Sequence, residues 1–394
     1  MPRVLRIINR FNLGGPTLNV SYLTKYMSSE YETLLIGGEK ESREDSSLFI
    51  LDQLGIKPTL IPEMRRSINP INDIKAYFKI KKIIKEFKPD IVHTHAAKSG
   101  ALGRLAAYHC KVPVIVHTFH GHVFHSYFST IITNIFKQIE RYLATISTRI
   151  IAISEQQKSE ISKIHRICHP DKISIIPLGF DLSRFKENMK HKRARFREKY
   201  NIKEDELVVS IIGRLAPIKN HKLFIESIAY VYQRTSKKVK ALIVGDGTEK
   251  DELQHLTKSV NLNYTNESFS IKNETICFTS WIKDVDHVLA GSDIVALTSY
   301  NEGTPVSLIE AQSAGKPIVS TRVGGIENIV DENRTALLSE SGDLGQFGNI
   351  LLELIENNDK REKMANAAME KTTERYEYHT LCRNMEKLYK ELLS

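Results

Sequence analysis

The sequence predicts an α/β protein of two domains, each built on a mostly parallel sheet, and three observations carry that expectation. The chain has 394 residues, more than a single core usually serves, which points to two domains of about 150 to 200 residues. Short apolar segments of strand character alternate with helical stretches, as βαβ units do. The alternation breaks off near residues 173–181, passes a basic segment, and restarts from Leu207.

The first strand is the apolar run 4–8, followed by the turn Gly14-Gly15 and then Leu18, Val20, Leu23 and Met27 at helical spacing. Further strands fall at 33–36, at 89–93 behind a proline, at 114–117 and at 149–154. The basic, helix-prone stretch 191–200 reads as a linker. Beyond it, strands are expected at 207–213, 241–245, 275–278, 293–297 and 317–320, each followed by a helical candidate. A last helix over 380–393 carries Leu381, Met385, Leu388, Tyr389 and Leu392 on one stripe and needs a surface to cover. Ligands of parallel sheets sit at the carboxyl ends of the strands, so the chemistry is expected there.

Composition narrows the class. Apolar residues make up 41% and charged residues 26%, ordinary values for a globular protein. The opening residues carry an arginine within the apolar stretch and do not read as a signal peptide, and no run of about 18 apolar residues suggests a membrane span. Cys110, Cys168, Cys277 and Cys382 are scattered, which argues against a disulfide framework and a zinc site and for a cytoplasmic setting. A net charge of +9 suits anionic company such as phosphate-bearing ligands, nucleic acid or an anionic membrane face, and equally suits plain surface solvation. Lys75, Lys79, Lys81, Lys82, Lys85 and Lys88 crowd one helical segment, interleaved with Tyr77, Phe78, Ile80, Ile83, Ile84 and Phe87.

The most informative stretch is Tyr300-Asn301-Glu302-Gly303-Thr304-Pro305-Val306-Ser307-Leu308-Ile309-Glu310-Ala311. It sets one glutamate at a strand-to-helix turn and a second a little over two helical turns further on, if the helix starts near Pro305. Carboxylates grip paired hydroxyls, so one suits a sugar ring and the other a ribose. The helix start between them offers N–H groups and a positive dipole end to a diphosphate, and Gly303 and Thr304 permit close approach.

This spacing resembles that of retaining glycosyltransferases of the GT-B type, in particular family 4. Other matching pieces are Gly14-Gly15, Asp90-Ile91-Val92-His93-Thr94-His95, Thr118-Phe119-His120-Gly121, Ile151-Ala152-Ile153-Ser154, Ile176-Pro177 with Gly179 and Asp181, Gly213-Arg214 with Lys219, Val244-Gly245-Asp246-Gly247, and Ser320-Thr321 before Gly324-Gly325. The resemblance covers nearly the whole chain. It implies two facing Rossmann-like domains with an interdomain cleft: an acceptor-binding domain over 1–185, a nucleotide-sugar-binding domain over 186–377, and a helix 378–394 returning to the first.

Carried over by position, the resemblance makes Arg214 and Lys219 the clamp on the donor diphosphate, Glu302 the holder of sugar hydroxyls and Glu310 that of the ribose. Gly14, Gly15, Gly213, Gly245, Gly303, Thr304, Pro305 and Leu308 join the donor site, with Phe278, Thr279, Ser280 and Trp281 at the base. Trp281 equally suits a core. His120 matches the active-site histidine, and His95 and His122 are assigned to the acceptor. Seven histidines, His93, His95, His109, His117, His120, His122 and His125, fall close together, but no acid lies among them and no zinc spacing is matched, so no metal is expected. No cofactor is implied either, since the nucleotide sugar is a substrate.

Gly245-Asp246-Gly247 lacks the third glycine of a dinucleotide fingerprint, which disfavours NAD. Pro16-Thr17-Leu18-Asn19 after the glycines, and Leu178 before Gly179, depart from the common family pattern at positions that bear on substrate choice. Residues 118–128 resemble a subgroup that builds bacterial surface polysaccharides, often from uridine-linked N-acetylhexosamines. Ile131, Ile132, Ile135 and Phe136, with the basic helix, would let the first domain touch the inner face of the membrane and meet a lipid-linked acceptor. The expected activity is transfer of a hexose or N-acetylhexosamine from a nucleotide diphosphate sugar, with UDP favoured, to a hydroxyl with retained anomeric configuration. A nucleotide-sugar epimerase of the same fold and a non-catalytic glycan- or nucleic-acid-binding module are the alternatives; the paired glutamates favour the enzyme and no nucleic-acid partner.

Overall fold

A computed structural model of the chain describes residues 1–11, 15–39, 47–65, 67, 69–120, 130–270, 274–371 and 375–394. The chain forms two compact units, Met1–Phe180 with Arg375–Ser394, and Asp181–Glu374.

The first unit holds β1 (Arg3–Arg10), β2 (Glu32–Gly38), β3 (Thr59–Leu60), β4 (Ile91–His95), β5 (Val114–Thr118), β6 (Arg149–Ala152) and β7 (Ile173–Ile175). They pair in parallel in the order β3-β2-β1-β4-β5-β6-β7. The order reverses between β1 and β4, and ligands of such sheets bind outside the strand ends at that reversal. His95 ends β4 there. Both faces of the sheet are covered, so β4 reads as an unbroken buried run and not as an alternation.

One face packs Leu5, Ile7, Val92 and Ile115 against the helices Pro70–Phe87 and Ala97–His109. The first of these starts as its sequence requires: Pro70 occupies the first turn, Asn69 caps it by accepting from the Asn72 N–H at 3.1 Å, and Lys88 ends it in a left-handed conformation. The other face is covered by the helix Tyr378–Leu393, whose Leu381, Met385, Leu388 and Tyr389 pack on Val4, Ile91, Val114 and Val116. Each such buried side chain contributes about 1.5 to 3 kcal/mol.

The second unit repeats the plan. Its strands β8 (Leu207–Ile212), β9 (Val239–Val244), β10 (Tyr264–Thr265), β11 (Ile276–Ser280), β12 (Ile294–Leu297), β13 (Ile318–Thr321) and β14 (Ala336–Ser339) form a parallel sheet in the order β10-β11-β9-β8-β12-β13-β14. The reversal lies between β8 and β12, which lead into Gly213-Arg214 and Glu302 respectively.

Two expectations change. The sequence puts the crossing after residue 185, with the return at 378; the chain crosses after Phe180 and returns at Arg375. The reason is a clasp within the first unit: the Phe180 N–H donates to the Tyr376 carbonyl at 2.8 Å and the Tyr378 N–H to the Phe180 carbonyl at 3.0 Å. The basic stretch is not a linker but the helix Met189–Lys199, folded into the second unit. Its Phe196 packs against Gly291, and its buried Arg197 donates to the Gly291 carbonyl at 3.2 Å and pairs with Asp293 at 3.4 Å. The short strands β3, β7, β10 and β14 were not foreseen as strands. No helix among the described residues is long and apolar enough to cross a membrane.

Candidate functional site

In the second unit, the loops after β8 and β12 are stitched together by one side-chain hydroxyl and one main-chain bond. Thr298 donates its hydroxyl to the carbonyls of Lys219 at 3.0 Å and Asn220 at 2.9 Å, and the Tyr300 N–H donates to the Ile218 carbonyl at 2.8 Å. A one-turn 3₁₀ segment, Pro217–Lys219, ends at Asn220 in the left-handed region. The result sets Lys219 Nζ 2.5 Å from Glu302 Oε1, and the same oxygen accepts from Ser299 Oγ at 2.6 Å. Both partners are largely shielded, at 26% and 9% side-chain exposure, so the contact is a charge-assisted bond and not a solvated surface pair. Arg214 is exposed nearby in sequence and has no hydrogen-bond or ion-pair partner among the described residues.

Close backbone packing fixes where Glu302 stands. Gly324 has φ +54°, and a Cβ there would lie 1.8 Å from the Glu302 carbonyl oxygen. Gly325 donates its N–H to that carbonyl at 3.0 Å. Gly245 plays the corresponding part beneath β8, where a Cβ would lie 1.9 Å from the Gly213 carbonyl oxygen. Around Gly303, by contrast, a Cβ would meet nothing within 4 Å.

The helix Val306–Ser313 begins after Pro305, as the spacing predicts. Pro305 and Leu308 are buried and Thr304 half-buried. The helix carries Glu310, whose carboxyl burial pushes up to about 7, with nearby Arg184 acting against the rise and Asp286 adding to it. Arg184 bonds Asp286 at 3.0 Å, and Lys192 reaches the same carboxylate at 2.9 Å. Sequence reasoning missed Thr298, Arg184 and Asp286, which act through contacts distant in the chain, and Ser299, which bonds Glu302 only three residues on. It also missed buried His221, which burial and then Lys219 hold down to about 4; adjacency to Lys219 was the available signal. Trp281 is 45% exposed and so is not a core residue. It follows Ser280, which sits at φ +55° and takes a hydrogen bond from Lys250 Nζ at 3.0 Å.

In the first unit, His93 and His95 point to one face of β4. Their ring centroids are 4.1 Å apart. His95 Nδ1 lies 2.9 Å from His120 Nε2, with the rings stacked at 5.2 Å. His117 faces the other side, where it bonds Thr94 Oγ1 at 2.8 Å, and His109 bonds the Tyr77 hydroxyl at 2.8 Å. Burial holds His120 down to about 4, and burial with neighbouring positive groups holds His93, His95 and His117 well below the ordinary histidine value. These rings are neutral at pH 7 and serve as hydrogen-bonding groups. His95 Nε2 and His120 Nδ1 are buried without partners among the described residues. Among the described residues no three His, Cys, Asp or Glu side chains are grouped to hold a metal. Gly15 opens the helix Gly15–Tyr26; Gly14 and His122 lie outside the described residues.

Two family models match the chain: Glycosyltransferase Family 4 over residues 14–184 and Glycosyl transferases group 1 over residues 192–371. A UDP-Gal:alpha-D-GlcNAc-diphosphoundecaprenol alpha-1,3-galactosyltransferase of Escherichia coli is 32% identical over 77% of this chain and 76% of its own length. The capsular polysaccharide biosynthesis glycosyltransferase CapM of Staphylococcus aureus is 22% identical over 84% of each chain. Among solved structures, Anabaena Alr3699/HepE in complex with UDP superposes with a TM-score of 0.80 at 20% identity, over 99% of this chain and 100% of that one, a likeness of fold. With a parallel α/β sheet in each unit and cationic and acidic groups at the strand ends, the chain belongs to glycosyltransferase family 4 and has the GT-B fold.

Proposed function

We propose that the protein transfers a hexose or N-acetylhexosamine from a UDP-sugar to a hydroxyl of a lipid-linked glycan in surface-polysaccharide assembly, with retention of anomeric configuration and without a metal ion. The observation that carries the reading is the Lys219–Glu302 pair at the carboxyl end of β12, with the exposed Arg214 in the same loop as Lys219. Lys219, fixed at a strand end, and the exposed Arg214 in the same loop supply positive charge of the kind a departing diphosphate needs, so they support a reaction that runs without a metal. Lys219 has three protons and keeps Glu302 while donating to phosphate. Glu302 then has one oxygen held by Lys219 and Ser299 and a second left for sugar hydroxyls. Glu310 takes the ribose hydroxyls, Trp281 and Ser280 the base, and His120 a hydroxyl of the transferred sugar.

Support for the acceptor class comes from the Escherichia coli relative, whose name specifies a UDP-galactose donor and a diphosphoundecaprenol-linked acceptor. A lipid-borne acceptor suits a protein that meets an anionic bilayer. The helix Thr130–Thr145 exposes Ile132, Ile135, Ile139 and Tyr142 along one stripe while burying Glu140, and the basic helix Pro70–Phe87 exposes Ile71, Ile74 and Phe78. The test is incubation of the purified protein with UDP-galactose, UDP-glucose and UDP-N-acetylhexosamines and a diphosphoundecaprenol-linked monosaccharide. Addition of one sugar supports the reading. Conversion of the nucleotide sugar without an acceptor would instead favour an epimerase.

A further inference from the structure

Arg6 on β1 is fully buried, yet among the described residues no carboxylate pairs with it. Its Nη2 lies 2.6 Å from Met27 Sδ, and its Nε and Nη1 are without partners. Burying an unpaired cation is costly, so its position calls for a reason. The group its charge acts on most strongly is the hydroxyl of Tyr389 on the C-terminal helix. A positive charge attracts the hydroxyl oxygen and repels its hydrogen, so the Tyr389 proton is turned away from Arg6. That proton faces His93 Nδ1, 2.6 Å away. With Nδ1 accepting, neutral His93 carries its proton on Nε2, which faces Thr118 Oγ1 at 2.7 Å. Every donor in the chain Arg6, Tyr389, His93, Thr118 therefore points away from the buried charge. Thr118 is paired with His95 in the sheet and stands two residues before His120, and the His93 ring lies against that of His95.

We propose that Arg6 and Tyr389 act together as positioning residues for the His95–His120 pair, the C-terminal helix fixing one tautomer of His93 and, through its ring and Thr118, the orientation of the two histidines beyond it. The inference rests on the reading of His120 as the group that meets the sugar. The His95–His120 bond leaves two inward-facing ring nitrogens, His95 Nε2 and His120 Nδ1. While both rings are neutral, one of these nitrogens is a donor and the other an acceptor, a pattern matched to a hydroxyl. The arrangement fails if either ring becomes charged. The charged and titratable groups around the pair are Arg6 from β1, His93 from β4 and Tyr389 with Cys382 from the C-terminal helix, with His117 of β5 and Arg104 of the helix Ala97–His109 acting from the opposite face of the sheet.

The test is ¹⁵N NMR of the histidine rings in the full-length protein without substrate, on the wild type, Tyr389→Phe and Arg6→Met, with folding checked by thermal melts. The wild type is expected to show His93 neutral at pH 7 and protonated on Nε2; a charged ring, or the opposite tautomer, overturns the proposal. In Tyr389→Phe, His93 is expected to lose its single tautomer, and kcat to fall roughly ten- to a hundredfold with KM for the donor little changed. In Arg6→Met, loss of the positive charge is expected to move the acid limb of the kcat profile up by about one pH unit. Folded variants with wild-type tautomers and profiles would contradict it. The ring spectra decide even if transfer is never detected, so a failure of the enzymatic reading is told apart from a failure of this one.

Discussion

Lys219 Nζ lies 2.5 Å from Glu302 Oε1 although the two residues are 83 positions apart. The loops that carry the pair are joined by the Thr298 hydroxyl and a main-chain bond, so either side chain of the pair can be removed without breaking those links. Lys219→Ala is expected to lower kcat/KM by about 10²- to 10³-fold, as loss of a preorganised donor does. Stability should fall by only about 1 kcal/mol, because Glu302 keeps the bond that Ser299 Oγ donates to the same oxygen. Steady-state kinetics and a thermal melt on one preparation check both statements.

Glu310 gives a pH-dependent prediction with opposite signs for stability and binding. Its folded value of about 7 stands above that of an exposed carboxyl, so its contribution to stability is complete below about 4.5 and is lost as pH rises through 7. Glu310→Gln is therefore expected to raise stability at pH 8 by about 1 to 2 kcal/mol, allowing for solvent contact, and to change little at pH 4.5. The same variant should bind UDP more weakly, having lost the carboxylate that accepts from the ribose. Melts at the two pH values, with and without UDP, read both effects.

Gly324 and Gly303 should respond differently to the same change. Gly324→Ala forces a Cβ into the Glu302 carbonyl at positive φ and is expected to cost about 2 to 4 kcal/mol, with transfer lost as Glu302 shifts. Gly303→Ala meets no atom within 4 Å and should leave the melting temperature unchanged while weakening donor binding. Equal melts for the two variants would show that the backbone contact at Glu302 does not fix the loop.

The buried histidines predict acid sensitivity. Their folded values lie below the ordinary 6.5, so the stability they contribute is present above that pH and is lost as pH falls toward about 4. His120→Ala should flatten this slope and reduce kcat roughly 10²-fold. Unfolding titrations between pH 4 and 7 test the slope.

Much of the fold was legible because the strands are buried on both faces and read as apolar runs between turn residues, as at 207–213 and 293–297. Edge strands such as Thr59–Leu60 and Tyr264–Thr265 are too short to leave such a run. The basic helix Met189–Lys199 looked like a linker because its buried cation, Arg197, is satisfied by Gly291 and Asp293, roughly a hundred residues on. Of the candidate site, the sequence singled out Glu302 and Glu310 by their spacing and Lys219 by the resemblance, and the structure joins Lys219 to Glu302. Arg184 was not legible, since its partner Asp286 lies far along the chain, whereas Ser299 bonds Glu302 three residues away and was overlooked. Arg6 was read as part of a strand, and nothing local marks it as a buried cation reaching Tyr389 in the last helix.

The most direct measurement is a transfer assay with UDP-sugars and a diphosphoundecaprenol-linked monosaccharide, the product read by mass spectrometry and by the anomeric proton signal. The expected result is one added sugar in the anomeric configuration of the donor, formed with chelator present and abolished in Lys219→Ala. No product from the wild type with any UDP-sugar, an inverted anomer, or undiminished product from the variant would contradict the proposed reaction.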